Sequence, residues 1–166
     1  IPVTCNGGYV MRAWYDIVSL DSSSREIDET GIVQSRTAVR DLIARENRRG
    51  IPCARIFLAG FSQGGAVAYL TALTHDEALA GVVALSTYIP CGELLARERT
   101  AANRDIAIFA AHGQADDVVS PELGRRARDF LVRQSYRIDW HEYPIPHAVC
   151  LEEIHLLAAW LRDRLQ

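Results

Sequence analysis

Three observations predict an α/β fold, a mostly parallel sheet with helices on both faces. Short, continuous apolar runs recur along the chain, as in strands buried on both sides. Between them lie segments with the apolar stripe of a sheet-packed helix. The two kinds of segment alternate, apart from one step from strand to strand. The order reads helix, strand, helix, strand, strand, helix, strand, helix, in one domain spanning residues 1–166. That length suits a single core.

Each element has its own reason. "GIVQSRTAVRDLIARENRRG" sets Ile32, Val39, Leu42 and Ile43 along one side of a helix and stops at Gly50. "ARIFLAG" is a short buried strand, and "GGAVAYLTALTH" is the helix after it. "GVVALSTY" and "DIAIFAAHG" are two more buried strands. "SPELGRRARDFLVRQS" is a helix capped by Ser120 with Pro121 in its first position. "YRIDWHEYP" alternates as a strand, and "HAVCLEEIHLLAAWLRDRLQ" is a terminal helix. In parallel sheets the chemistry gathers at the carboxyl ends of the strands. Those ends are Gly60 to Gly65, Ser86 to Pro90, His112 to Val119 and Pro144 to His147.

Composition narrows the partners. The chain is 49% apolar and 23% charged, with net charge −3, which favours neither nucleic acid nor an acidic membrane surface. All 18 basic residues are arginine, and the groupings "ENRRG" and "GRRARD" read as solvated helix faces. No secretory signal or long apolar span is seen, so stable membrane anchoring is not expected. Cys5, Cys53, Cys91 and Cys150 form no CxxC, and no Cys or His pair has metal-ligand spacing. Reduced thiols, a cytoplasmic location, no metal and no cofactor are the expectations.

The stretch "FLAGFSQGGAVAYL" contains G-x-S-x-G between a predicted strand and helix. That arrangement matches a nucleophile elbow, in which a sharp turn lifts the Ser62 hydroxyl above the sheet edge; the plainer alternative is a glycine-rich turn that packs a helix against a sheet. Gly60 and Gly64 are expected to remove side chains that would collide in the turn. A serine needs a base, and the base needs a carboxylate to orient it. His75 ends a helix, His112 precedes the acids, His141 lies in a strand and His155 in a helix. Only His147 occupies the loop after the last strand, between Pro146 and Ala148. For the acid, Asp116 and Asp117 both stand at a strand's carboxyl end, and position does not choose between them.

"GFSQGG", "HGQADDVV" and "PHAVC", in this order and spacing, resemble the phospholipase/carboxylesterase family of α/β-hydrolases. That family includes bacterial carboxylesterases and acyl-protein thioesterases. "PVTCNGGYVMRAWYDI" and "ANRDIAIFAAHG" resemble its corresponding segments, so the similarity covers nearly the whole chain. The resemblance implies a triad of Ser62, Asp116 and His147. The family's H-G-x-x-D pattern selects Asp116, although Asp117 stands where members often have proline. It also implies an oxyanion donor in the backbone N–H of Gln63. The Gln63 side chain is as well suited to a structural role. Arg12 replaces a frequent proline and carries no expected function. Trp14 and Tyr15 are expected to pack in the core rather than line an acyl cleft.

The resemblance further implies N-terminal strands and an H-G-x-G-type loop, with a second oxyanion donor, ahead of the segment at Ile1. The expectation is a longer polypeptide; otherwise the first strand here would be an exposed edge. The expected activity is a serine carboxylesterase acting on small-molecule esters of short acyl chains, as a monomer or homodimer. Short chains are expected because no insertion forms a substantial lid. "STYIPCGELLARERTAANRD" is the one lengthy connection, suited to forming a cleft wall. Acyl-protein thioesterase or lysophospholipase activity is the alternative within the same chemistry. A non-catalytic ligand-binding protein on this fold is the alternative of another class.

Overall fold

The computed structural model describes residues 1–17 and 28–165. An antiparallel hairpin, β1 (Pro2–Val3) and β2 (Tyr9–Val10), opens the chain. Helix α1 (Glu29–Arg48) follows, capped by the Asp28 carboxylate, which accepts the Gly31 N–H at 2.8 Å. Then come β3 (Phe57–Phe61), α2 (Gln63–Leu73), β4 (Gly81–Leu85) and α3 (Gly92–Glu98). The chain ends in β5 (Ala107–Gly113), α4 (Pro121–Arg133), β6 (Ile138–Tyr143) and α5 (Leu151–Leu165). Gln166, assigned from sequence to the last helix, lies outside the described residues.

The four long strands form one parallel sheet in the order β3-β4-β5-β6. Its register sets Gly60 beside Ala84, Ala84 beside Ala110, and Ala110 beside Trp140. The continuous apolar runs now have a reason. Val82, Ala84 and Ile108 join one core with residues of α1 to α4, while Val83, Phe109 and Ala111 join a second core with Trp160 of α5. A strand covered on both faces has no side left for polar alternation. Helix α2 is buried from Gly65 to Leu73, which explains why its sequence is apolar all round.

Several expectations need amendment. Helix α3 and the β1–β2 hairpin were not anticipated, because seven residues and two pairs of residues are too short to show a period. The last helix starts at Leu151 rather than His147, since Ala148 N–H turns back to the Pro146 carbonyl at 2.8 Å. Leu42 is 45% exposed. It lines a groove of about 560 Å³ along β3, an outer strand of the described sheet, with Trp14, Val39 and Phe57. The basic run on α4 is more than a solvated face. Arg125 grips Glu142 of β6 through Nε–Oε1 at 2.8 Å and Nη2–Oε2 at 2.9 Å. That bidentate pair pulls the Glu142 pKa down to about 2. Arg128 lies 5.4 Å from the Trp140 ring centroid. Sequence periodicity cannot show partners on another element.

Candidate active site

Ser62 joins β3 to α2 with φ 53° and ψ −123°, a conformation that costs a non-glycine residue about 1–3 kcal/mol. Neighbours hold it there. Its N–H donates to the Leu85 carbonyl at 2.9 Å, and its carbonyl accepts the Thr87 hydroxyl at 2.7 Å. The glycine requirement is partly as predicted. A Cβ on Gly60 would sit 2.1 Å from the Gly64 carbonyl oxygen. A Cβ on Gly64 would meet only Trp14 Nε1, at 3.5 Å. The second tight position is Gly65, whose Cβ would lie 2.7 Å from Thr87 Cγ2. Gly60 and Gly65, not Gly64, are therefore where the turn has no space. Thr87 lies in the Ser86 to Pro90 stretch at the carboxyl end of β4, and no local sequence signal singles it out there.

His147 and Asp116 meet. His147 Nδ1 lies 2.7 Å from Asp116 Oδ2, and the Asp116 side chain is fully buried. Asp116 Oδ1 accepts the N–H groups of Val118 and Val119 at 2.9 and 2.8 Å. That local turn aims Oδ2 at the imidazole, whereas Asp117 is exposed. The His147 ring packs on Phe61, with centroids 4.6 Å apart, so it stands beside the turn that carries Ser62.

His112 belongs to the same neighbourhood. Its Nε2–H donates to the Val119 carbonyl at 2.9 Å, and Nε2 lies 3.4 Å from Asp116 Oδ2. Burial lowers its pKa and favours the neutral ring. Of the other histidines, His141 Nε2 contacts Asp139 Oδ1 at 2.8 Å, and His155 is exposed on α5.

A single glycine lets the His147 loop approach. A Cβ on Gly113 would lie 2.4 Å from the carbonyl oxygens of both Ile145 and Pro146. Both contacts are backbone, so relief requires the loop itself to move. Gly113→Ala is expected to lower kcat/KM by about 10²-fold, as displacements near 1 Å do. Steady-state kinetics with a circular-dichroism check of folding measures this. An unchanged kcat/KM would show that the loop is not held at Gly113.

Gln63 opens α2, so its N–H is among those a helix leaves without an intrahelical partner. Its side chain is structural. Nε2 donates to the Tyr15 carbonyl at 2.9 Å, and Oε1 accepts the Trp14 N–H at 3.2 Å. Tyr15 is buried, with its hydroxyl 2.7 Å from that of Tyr88, as expected of a core residue. Trp14 is not in the core; it is 44% exposed and lines the β3 groove near Gly64. Among the described residues, Cys53, His75 and Glu77 gather as potential metal ligands, which spacing alone did not suggest. No described helix is long and apolar enough to cross a membrane.

Comparison with known proteins agrees with this architecture. A family profile described as Phospholipase/Carboxylesterase matches residues 1–164. Acyl-protein thioesterase 1 of Mycosarcoma maydis is 42% identical over 173 residues, covering 96% of this chain and 72% of that protein. A probable carboxylesterase of Oryza sativa subsp. japonica is 34% identical over 167 residues, covering 99% of this chain and 63% of that protein. The crystal structure of Arabidopsis thaliana SOBER1 superposes with a TM-score of 0.94 at 29% identity, covering 99% of this chain and 80% of that one. The chain belongs to the phospholipase/carboxylesterase family, hydrolases built on the α/β-hydrolase fold.

Proposed function

We propose that this chain is a serine carboxylesterase that hydrolyses carboxylic esters of short acyl chains through an acyl-enzyme on Ser62. One observation carries the reading: the 2.7 Å His147–Asp116 pair stands beside a serine strained on a strand–helix turn. With Nδ1–H donated to Asp116, the basic lone pair of His147 lies on Nε2. In this mechanism Nε2 takes the Ser62 proton as Oγ attacks the ester carbon. The carbonyl π pair moves to oxygen, and the Gln63 N–H at the start of α2 stabilises that charge. Collapse breaks the bond to the alcohol oxygen, which leaves with the proton from Nε2. Water then attacks the acyl carbon, giving a proton to Nε2, and collapse releases the acid and restores Ser62. No cofactor enters these steps.

The thioesterase reading uses the same residues. It is favoured by the 42% identity to acyl-protein thioesterase 1 of Mycosarcoma maydis. A thiolate leaves more readily than an alkoxide, so proton delivery by Nε2 matters less there. The test begins with a fluorophosphonate and mapping of the modified peptide. Kinetics then compare esters of increasing acyl length with matched S-acyl peptides. The carboxylesterase reading expects one adduct, on Ser62, and fastest turnover of short esters. A steep preference for long S-acyl chains moves the assignment to a thioesterase. Absence of an adduct and of turnover supports a non-catalytic binding protein.

A further inference from the structure

Cys53, His75 and Glu77 converge at the end of the sheet opposite Ser62. Cys53 starts a short 3-10 turn, Cys53–Arg55, just ahead of β3. His75 and Glu77 lie between α2 and β4. A ligand atom from each lies within 4.8 Å of the other two, and Cys53 Sγ is 3.7 Å from His75 Nε2. Tetrahedral zinc, with bonds of roughly 2.3 Å to sulfur and 2.0–2.1 Å to nitrogen, holds those two atoms about 3.6 Å apart. Sulfur and nitrogen thus already stand at ligand spacing. Glu77 is exposed, so its carboxylate is free to swing in.

The surrounding loop is held in place. Asn103 is 1% exposed, and its Nδ2 donates to the carbonyls of His75 at 2.8 Å and Glu77 at 2.9 Å. Its Oδ1 accepts the Leu79 N–H at 2.9 Å. The Thr100 hydroxyl adds a second bond to the His75 carbonyl, at 2.6 Å. The loop from His75 to Leu79 is therefore wrapped around one buried amide, which fixes the backbone of both ligands. Asn47 Nδ2, 3.2 Å from Cys53 Sγ, can donate to a thiolate. Second contacts of this kind orient metal ligands and tune them.

The geometry points to a binding site for one zinc-class divalent cation, held by the Cys53 thiolate, the His75 imidazole and the Glu77 carboxylate, with water as fourth ligand. A mixed sulfur, nitrogen and oxygen set of this kind suits Zn²⁺ rather than Mg²⁺ or Ca²⁺. Binding releases the Cys53 thiol proton to solvent. The cation ties the turn before β3 to the loop before β4, and so braces the sheet from the end remote from Ser62.

The test is titration of the purified chain with Co²⁺, followed by Zn²⁺ competition and thermal unfolding. The expected result is one equivalent of Co²⁺ with a thiolate-to-cobalt charge-transfer band. Zn²⁺ then displaces the cobalt and raises Tm. Cys53→Ser should abolish the band, while Cys91→Ser keeps it. Glu77→Gln sits at an exposed position and should leave the fold intact by circular dichroism. It should weaken Zn²⁺ binding about tenfold or more. Absence of the band with equimolar Co²⁺, its survival in folded Cys53→Ser, or parental Zn²⁺ affinity in Glu77→Gln would each overturn the site.

Discussion

Replacing Ser62 with alanine is expected to lower kcat by about 10⁶-fold and leave the fold intact. The structural reason is that, among the described residues, the bonds holding the turn use backbone atoms of Ser62 and not its hydroxyl. The bonds from Ser62 N–H to Leu85 and from Thr87 to the Ser62 carbonyl are made by backbone atoms of Ser62. Alanine keeps both and carries the same positive-φ strain, so Tm should barely change. Ser62→Gly separates the strain from the chemistry. Glycine relieves the cost of φ 53° and should stabilise the protein by about 1 kcal/mol, or roughly 2–4 °C in Tm, while remaining inactive. Thermal unfolding of the two variants beside the parent measures this. A glycine variant no more stable than the alanine one would mean that the turn stores no strain. Substantial residual turnover in Ser62→Ala would remove the serine from the proposed chemistry altogether.

The parts of the candidate site differ in how far the sequence points to them. Ser62 is legible because glycine spacing and the flanking apolar runs are local signals. His147 is legible by elimination, since the other histidines fall at a helix end, in β5, in β6 or in α5. The acid is not legible by position. What sets the two carboxylates apart is the turn after β5, where two N–H groups grip one oxygen of Asp116, the candidate acid, and leave Asp117 in solvent. The fold was readable because two covered sheet faces demand unbroken apolar strands. Distant steric fits were not. The space Gly65 preserves is defined by Thr87, and the space Gly113 preserves by Ile145 and Pro146, each more than twenty residues away in the chain. Cys53 and His75 were missed for the same reason, because 22 residues separate them and no short spacing marks the pair.

Asp116→Asn is expected to lower kcat/KM by about 10⁴-fold, the scale set when a base is held in the wrong tautomer. Asparagine can retain Oδ1 and its bonds to Val118 and Val119. The group facing His147 Nδ1 then becomes an NH₂ donor. The imidazole answers by turning Nδ1 into an acceptor, which moves its proton to Nε2. That nitrogen can no longer take a proton from Ser62. The buried carboxylate that would stabilise an imidazolium is also gone. Fluorophosphonate labelling of Ser62 should slow in parallel with turnover, because both reactions need the same lone pair. Asp117→Asn serves as the matched control, since it makes the same chemical change one residue away at an exposed position. Its kcat/KM should stay within about twofold of the parent. Equal losses in the two variants would sink the assignment of Asp116. A large loss in Asp117→Asn alone would transfer the role to that residue.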